Sequence, residues 1–513
     1  MAHDDVRLRP PVAKTESGAV RGAWHEHVSA DGGTSRFAVF RGMPFAAPPV
    51  GPLRFAAPQP VERWEGVRDA TRFGPTPQRT SPYNPPRVPE PSIPGAETLS
   101  VNVTTPDPSP GAGLPVLVWI HGGGFIGGSP ASPWYVGEAF ARDGVVTATV
   151  SYRLGFEGFA WLADAGKGGV VNNRGVRDWL AALAWVQRNI AEFGGDPARV
   201  TIAGQSAGGA AVMRLLSMPS AQHLFSRALA ISPPDASATQ EATADATARI
   251  AAAVGAEPTA ASAGRVDENV LFAARGVAEA PSEPGTRSIF GEPPLALAPC
   301  VDGDVCPHSV SAGVAAGVGA DKPLLIGATA HEFSMSLLPQ SEALDGVDPG
   351  PLLVGAGGSP ELVREFLDHS RVTGDLDRGT AWLIGQAVTD MIFRAPVAHW
   401  SRLRSGAPGG TWTYDFRWES RSPDVVGAAH CVDIPFGMDV LAAEGVAEAL
   451  GPEPPQALAD AVHGDWLSMV RDGVVDAPQH GADRATILYN ADGSRSVGIA
   501  YALEARIWDE TNR

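Results

Sequence analysis

The sequence predicts an α/β protein built on a mostly parallel sheet with helices on both faces. Three stretches carry that reading. Leu114-Pro115-Val116-Leu117-Val118-Trp119-Ile120 is short, apolar and rich in branched side chains, as suits a strand buried on both faces. Between Arg177 and Phe193, apolar Trp179, Leu183, Val186, Ile190 and Phe193 recur at three- and four-residue intervals and so line one helix face. Arg199-Val200-Thr201-Ile202-Ala203 reads as a strand, followed at once by Gly204 to Gly209 and a helix through Leu216. Strand and helix alternate, which implies βαβ units.

The remaining elements follow in order. The Pro-rich stretch from Arg79 to Gly95, with Tyr83-Asn84-Pro85-Pro86-Arg87-Val88-Pro89-Glu90-Pro91 at its centre, excludes helix or central strand and predicts a surface loop. A second buried strand is expected from Val145 to Tyr152. Gly194-Gly195-Asp196-Pro197 suits a helix C-cap and turn. Ala228 to Ser232, Leu324 to Ala328 and Trp412 to Phe416 are further candidate strands. Ala236 to Ala280 is Ala-rich and predicted mostly helical, with a break near Gly255 and Pro258, while Gly313 to Gly319 reads as a small-residue loop.

Composition bounds the function. A length of 513 residues would allow several domains at ~100–200 residues each. No composition break marks a linker, so one elaborated domain over 12–510 is expected behind a tail, 1–11. With 44% apolar and 19% charged residues the chain is globular rather than disordered. Its net charge of −18 argues against a grip on nucleic acid or anionic lipid. The polar start, Met1-Ala2-His3-Asp4-Asp5-Val6-Arg7, leads into no apolar h-region, and no run approaches ~18 apolar residues, so a cytoplasmic protein without a membrane span is expected. Cys300, Cys306 and Cys431 read as reduced thiols.

The sharpest chemical signal is Gly204-Gln205-Ser206-Ala207-Gly208-Gly209 between a strand and a helix. A serine on such a turn takes a strained backbone that lifts its hydroxyl above the sheet edge, and flanking glycines remove the Cβ atoms that would clash. His121-Gly122-Gly123-Gly124-Phe125 closes an earlier strand, where consecutive glycines can turn main-chain N–H groups toward an anionic oxygen. Neither G-x-G-x-x-G nor a Lys-Ser/Thr ending follows, so a phosphate loop fits poorly. An oxyanion hole completed by the Ala207 N–H is the economical account.

A serine nucleophile needs a base, and the base a carboxylate, in the chain order Ser, acid, His. Eight histidines follow Ser206, so order alone does not choose. His430 stands out on the small-residue turn Gly427-Ala428-Ala429, past the strand ending at Phe416. Glu332 follows a strand that runs into a loop, and Asp302 is a rival acid, although it reads more simply as a turn residue before Gly303. His331-Glu332 is no zinc motif, since His-Glu-x-x-His would need histidine at Met335. No metal or organic cofactor is called for. Phe125, Phe333 and Met335 flank these motifs and are candidate pocket walls.

With these residues in place the chain resembles the type B carboxylesterases, an α/β-hydrolase family that includes bacterial p-nitrobenzyl esterases and the cholinesterases. The matches are Phe40-Arg41-Gly42-Met43-Pro44-Phe45-Ala46, Pro48 through Phe55, Trp64-Glu65-Gly66 through Phe73-Gly74-Pro75, Ser151-Tyr152-Arg153-Leu154-Gly155, and Asn189 through Gly209. The resemblance implies an α/β-hydrolase fold with large loop and helical insertions. The family's Gly-x-x-x-x-Glu matches Gly327 to Glu332, and its Gly-x-x-His matches Gly427 to His430, which implies a triad of Ser206, Glu332 and His430. By the same route Gly123, Gly124 and Ala207 supply the oxyanion hole, Ser232 hydrogen-bonds near the acid, and Leu295 and Leu297 fall in the acyl-pocket segment. Where the family usually reads Ser-Glu-Asp-Cys-Leu, this chain has Gly95-Ala96-Glu97-Thr98-Leu99, which suits a cytosolic bacterial-type member. Gln205 and Asp433 stand where many members carry Glu. The cholinesterases' cation-binding aromatic platform has no match.

The expected function is hydrolysis of small neutral alkyl or aryl esters through an acyl-enzyme. Amide or carbamate hydrolysis by the same triad, or a non-catalytic binding role on the same fold, are the alternatives. The sequence does not specify oligomeric state.

Overall fold

The computed structural model describes residues 9–28, 33–81, 88–279 and 295–512. The polar start at 1–8, the Pro-rich residues 82–87 and Ala280 lie outside them. Eleven strands of one sheet appear in chain order as β1 (Ala23–Val28), β2 (Thr34–Pro44), β3 (Ser100–Thr105), β4 (Leu114–Ile120), β5 (Val146–Val150) and β6 (Gly195–Gln205). They continue as β7 (Arg227–Ile231), β8 (Leu324–Thr329), β9 (Thr411–Phe416), β10 (Ala485–Tyr489) and β11 (Arg495–Ile499). Their order across the sheet is β11-β10-β9-β8-β7-β6-β4-β5-β3-β2-β1. From β5 across to β10 neighbouring strands run parallel, and both rims are antiparallel. A small separate sheet joins Val12–Thr15, Gly18–Arg21 and Val67–Asp69.

Alternation along the central strands sends side chains to two cores. Val116, Val118 and Ile120 of β4 pack on one face with α1 (Arg174–Asn189) and α2 (Ala207–Leu216). Leu117 and Trp119 pack on the other with α3 (Gln456–Asp472), where Trp119 stacks on Trp466 at 6.2 Å. Strands buried on both faces need apolar side chains at every position, which is why β4 and β8 read as unbroken runs. The predicted face of α1 is buried, and Gly194 caps the following 3₁₀ turn in the left-handed region at φ 84°.

Several boundaries differ from expectation. Strand β6 starts at Gly195, not Arg199, and the expected turn survives as a slip in register: Leu114 pairs with Gly195 but Val116 with Val200. Gly313 belongs to a helix, Val310–Ala315, not a loop, because a Cβ at Gly313 would sit 2.5 Å from the Ser217 carbonyl and glycine lets the helix seat there. The Pro-rich loop is partly tucked in, with Val88 buried in the second core and Glu90 accepting from the Tyr135 hydroxyl at 3.1 Å.

Order reverses between β4 and β6, so their carboxyl ends diverge into loops over a crevice, the usual ligand position in open α/β sheets. Beside it, Arg394 is buried among carboxylates. It donates to Glu504 and Asp415 at 2.7 Å each and to the Thr329 carbonyl at 3.2 Å, tying β8 to β9 just before Glu332. Burial works against a charged Asp415, but Arg394 and Arg417 hold its pKa below the ordinary carboxylate value of 3.8. That contribution to stability is full above this value and fades as pH falls through the lowered one. Arg394→Met should therefore cost about 3–5 kcal/mol in urea unfolding at neutral pH, and less in acid, where the stranded carboxylates take up protons.

Candidate active site

Ser206 links β6 to α2 with φ 58° and ψ −125°. Its N–H donates to the Ile231 carbonyl at 2.9 Å, and its carbonyl accepts from Ala210 N–H at 2.9 Å, so strand and helix both fix the turn. A Cβ at Gly204 would lie 2.5 Å from the Gly208 carbonyl, and one at Gly208 only 2.0 Å from the Ile120 carbonyl. Glycine at both positions is thus a condition of the turn.

The glycine turn after β4 stands beside it. Gly123 and Gly124 have φ 104° and 60°, and the Gly123 carbonyl accepts from Ile126 and Gly127 N–H at 3.1 and 2.9 Å. Tyr152 donates to the His121 carbonyl at 3.0 Å, and Gly128 N–H donates to Gln78 Oε1 at 2.7 Å. Burial drives the His121 pKa down to about 4, so the ring is neutral and donates from Nδ1 to the Gly122 carbonyl at 2.9 Å. The N–H groups of Gly123, Gly124 and Ala207 donate to no acceptor among the described residues. Ala207 opens a ten-residue helix, whose positive end adds to a field suited to a developing anion.

Glu332 is fully buried past β8. One carboxylate oxygen accepts from Thr329 N–H at 2.7 Å and the other from His430 Nδ1. The His430 N–H in turn donates to the Glu332 carbonyl at 3.0 Å, so backbone and side chain fix the pair together. With the proton on Nδ1, Nε2 keeps its lone pair, as a general base requires. The Gln205 amide nitrogen lies 3.2 Å from Nε2 and 3.4 Å from Nδ1, beside the ring and off the Nε2 lone-pair axis. The Cys431 thiol donates to Gln205 Oε1 at 3.5 Å and so orients the amide. Burial opposes charging His430, but the Glu332 carboxylate bonded to the ring favours the charged form and raises its pKa above the ordinary imidazole value. Phe333 and Phe393 pack on the same ring at 5.1 and 4.8 Å.

Sequence and structure comparisons agree on the relationship. Residues 9–480 match the family described as the carboxylesterase family. The para-nitrobenzyl esterase of Bacillus subtilis (strain 168) is 32% identical over 85% of this chain and 86% of its own. The phenmedipham hydrolase of Pseudarthrobacter oxydans is 31% identical over 90% of each. A solved thermophilic PNB esterase superposes with a TM-score of 0.79 at 30% identity, over 98% of this chain and 100% of its own. The chain belongs to the carboxylesterase family. It shares the α/β-hydrolase fold of these neighbours and is a carboxylesterase.

Not every expected site residue of this carboxylesterase lies where the sequence implied. Phe125 points away, its ring buried against Phe159 and Trp179, and Ile126 lines the cavity next to Gly124 in its place. Leu295 and Leu297 line that same cavity. Met335 packs against the second core cluster. Ser232 Oγ is buried without a hydrogen-bond partner among the described residues. Asp302 is held in a turn by Asn173 and by Asp304 and Cys306 N–H. Sequence reasoning passed over Phe393, which a π-helical turn, Asp390–Arg394, brings to His430. Among the described residues no cluster of three or more His, Cys, Asp or Glu is placed to hold a metal, and no helix is long and apolar enough to cross a membrane.

Two outcomes follow from this geometry. Gly123→Ala, whose Cβ would lie 2.4 Å from the Gly127 carbonyl, should lower kcat by about 10²- to 10³-fold on esters. Glu332→Gln should lower kcat by about 10⁴-fold and, by removing the charge that favours the imidazolium, shift the acid limb of kcat/KM down by about one pH unit or more.

Proposed function

We propose that this carboxylesterase works through an acyl-enzyme on Ser206. Ser206 Oγ attacks the ester carbonyl as its proton passes to His430 Nε2, Glu332 holds the imidazolium, and the Gly123, Gly124 and Ala207 N–H groups receive the oxyanion. His430 then protonates the leaving alcohol. Water repeats the cycle, and the carboxylic acid departs. The observation that carries this reading is the fully buried Glu332 bonded to His430 through both side chain and backbone, next to the residue that precedes Ser206.

Aliphatic walls at Ile126, Leu295 and Leu297 support neutral alkyl or aryl esters as substrates. A single domain over 12–510 acting in the cytoplasm on small molecules, with no nucleic-acid or membrane partner, fits the net charge of −18 and three unpaired cysteines. Burial pushes the Cys300 and Cys306 thiols up to about 11 and about 12, which keeps them unreactive. Incubation with a fluorophosphonate should add one label, mapped to Ser206 and absent in Ser206→Ala, whose kcat should fall roughly 10⁴- to 10⁶-fold. On p-nitrophenyl esters kcat/KM should rise from acetate to butanoate. No label and no turnover from folded protein would overturn the reading.

A further inference from the structure

Glu332 is preceded by a histidine that the triad does not use. His331 takes both main-chain polar groups of Ala428: its N–H donates to the Ala428 carbonyl at 3.0 Å, and its ring Nδ1 accepts from the Ala428 N–H at 3.0 Å. One residue on, the His430 N–H donates to the Glu332 carbonyl at 3.0 Å. The loop that carries the acid and the loop that carries the base are therefore docked by consecutive residues, His331 on Ala428 and Glu332 on His430. A backbone N–H can enter Nδ1 only if that nitrogen is bare, which puts the ring proton on Nε2. There Asp375 Oδ1 lies 3.5 Å away, itself held by Trp382 Nε1–H at 3.0 Å, while Thr373 donates to Oδ2 at 2.6 Å. Trp382 also packs edge-on to the His331 ring at 5.1 Å. The second carboxylate near the ring, Glu419 at 4.0 Å from Nδ1, is paired with Arg378, which also stands 3.5 Å from Asp375. Gly427, at φ 83°, lets the base loop come this close, since a Cβ there would lie 2.9 Å from His331 Nδ1 and 2.8 Å from the Trp382 ring. His331, Asp375 and Ala428 are all buried.

We infer that His331 is a positioning residue for ester hydrolysis: its Nδ1 fixes the turn at 427–430 so that the His430 imidazole stays on Glu332. This rests on the reading of Ser206, His430 and Glu332 given above. Remove that acceptor and the buried Ala428 N–H is left unpaired, a cost the turn can relieve only by moving. Movement of the turn lengthens the contact between His430 and Glu332, and proton transfer from Ser206 depends steeply on that geometry. The link also runs outward. Thr373 ends the helix Pro360–Thr373 and Trp382 belongs to the helix Thr380–Thr389, so this helical insertion reaches the base through Asp375 and His331.

The test follows hydrolysis of p-nitrophenyl butanoate across pH in the wild type, His331→Leu, His331→Asn and His331→Gln. Rates are taken per site titrated to completion by a fluorophosphonate, so unfolded protein drops out. Asparagine can place its amide oxygen where Nδ1 stands, glutamine carries that oxygen one bond further out, and leucine has none. His331→Leu should lower kcat about 10- to 100-fold with KM within about two-fold, and should move the acid limb of kcat/KM to lower pH as the Glu332 contact loosens. His331→Asn should restore most of kcat and the position of the limb, and His331→Gln should not. Wild-type kcat and limb in His331→Leu overturn the inference. So do His331→Asn and His331→Gln that behave alike, a contrast that still decides if His331→Leu does not fold. Wild-type protein that takes no label and hydrolyses no ester overturns instead the triad reading beneath it.

Discussion

The site depends on a close approach of backbone to backbone at the end of β6. The Gly208 Cα must come so near the Ile120 carbonyl that no side chain fits, and Ser206 must hold φ 58° while its N–H reaches Ile231. Once these contacts are made, three consequences follow together. The Ser206 side chain clears the sheet, the first N–H of α2 is left without an acceptor, and β4 is drawn alongside so that its glycine turn stands beside the serine. The strain stored at Ser206 is offset by hydrogen bonds from both flanking elements.

The electrostatics are arranged in layers behind that turn. Glu332 is buried with both oxygens engaged, and behind it Asp433 has its pKa raised to about 7 by burial and by the Glu332 charge, while accepting from the Tyr414 hydroxyl at 3.1 Å. Burial and the neighbouring Glu332 thus favour the neutral form of Asp433. On the far side Arg394 and its carboxylates clamp the ends of β8 and β9, and the π-helical turn that carries Arg394 also carries Phe393 to the imidazole. Fold stability and ring placement therefore share one short segment.

What the sequence made legible divides along physical lines. Central strands buried on both faces announce themselves as apolar runs, and the helix face from Trp179 to Phe193 announces itself by period. Rim strands do not: β1 reads Ala-Trp-His-Glu-His-Val and β11 is half exposed, so each carries polar residues that blur any pattern. Backbone-defined features such as the glycines around Ser206 were readable because only glycine fits there. Side-chain directions were not. Phe125 turns into the core because its own φ of 59° sets the direction of its Cβ, and Gln205 rather than Ser232 turns to the histidine; neither is encoded in local spacing. Phe393 comes from a different segment of the chain than the motif whose ring it meets.

The central claim is that Ser206 and His430 act as one unit. A double-mutant cycle on kcat for a p-nitrophenyl ester tests it most directly, using Ser206→Ala, His430→Ala and the combined variant. The account predicts that the combined variant loses no more activity than either single one, since removal of either group ends the same proton transfer. Losses that multiply would contradict it and separate the two residues into independent roles.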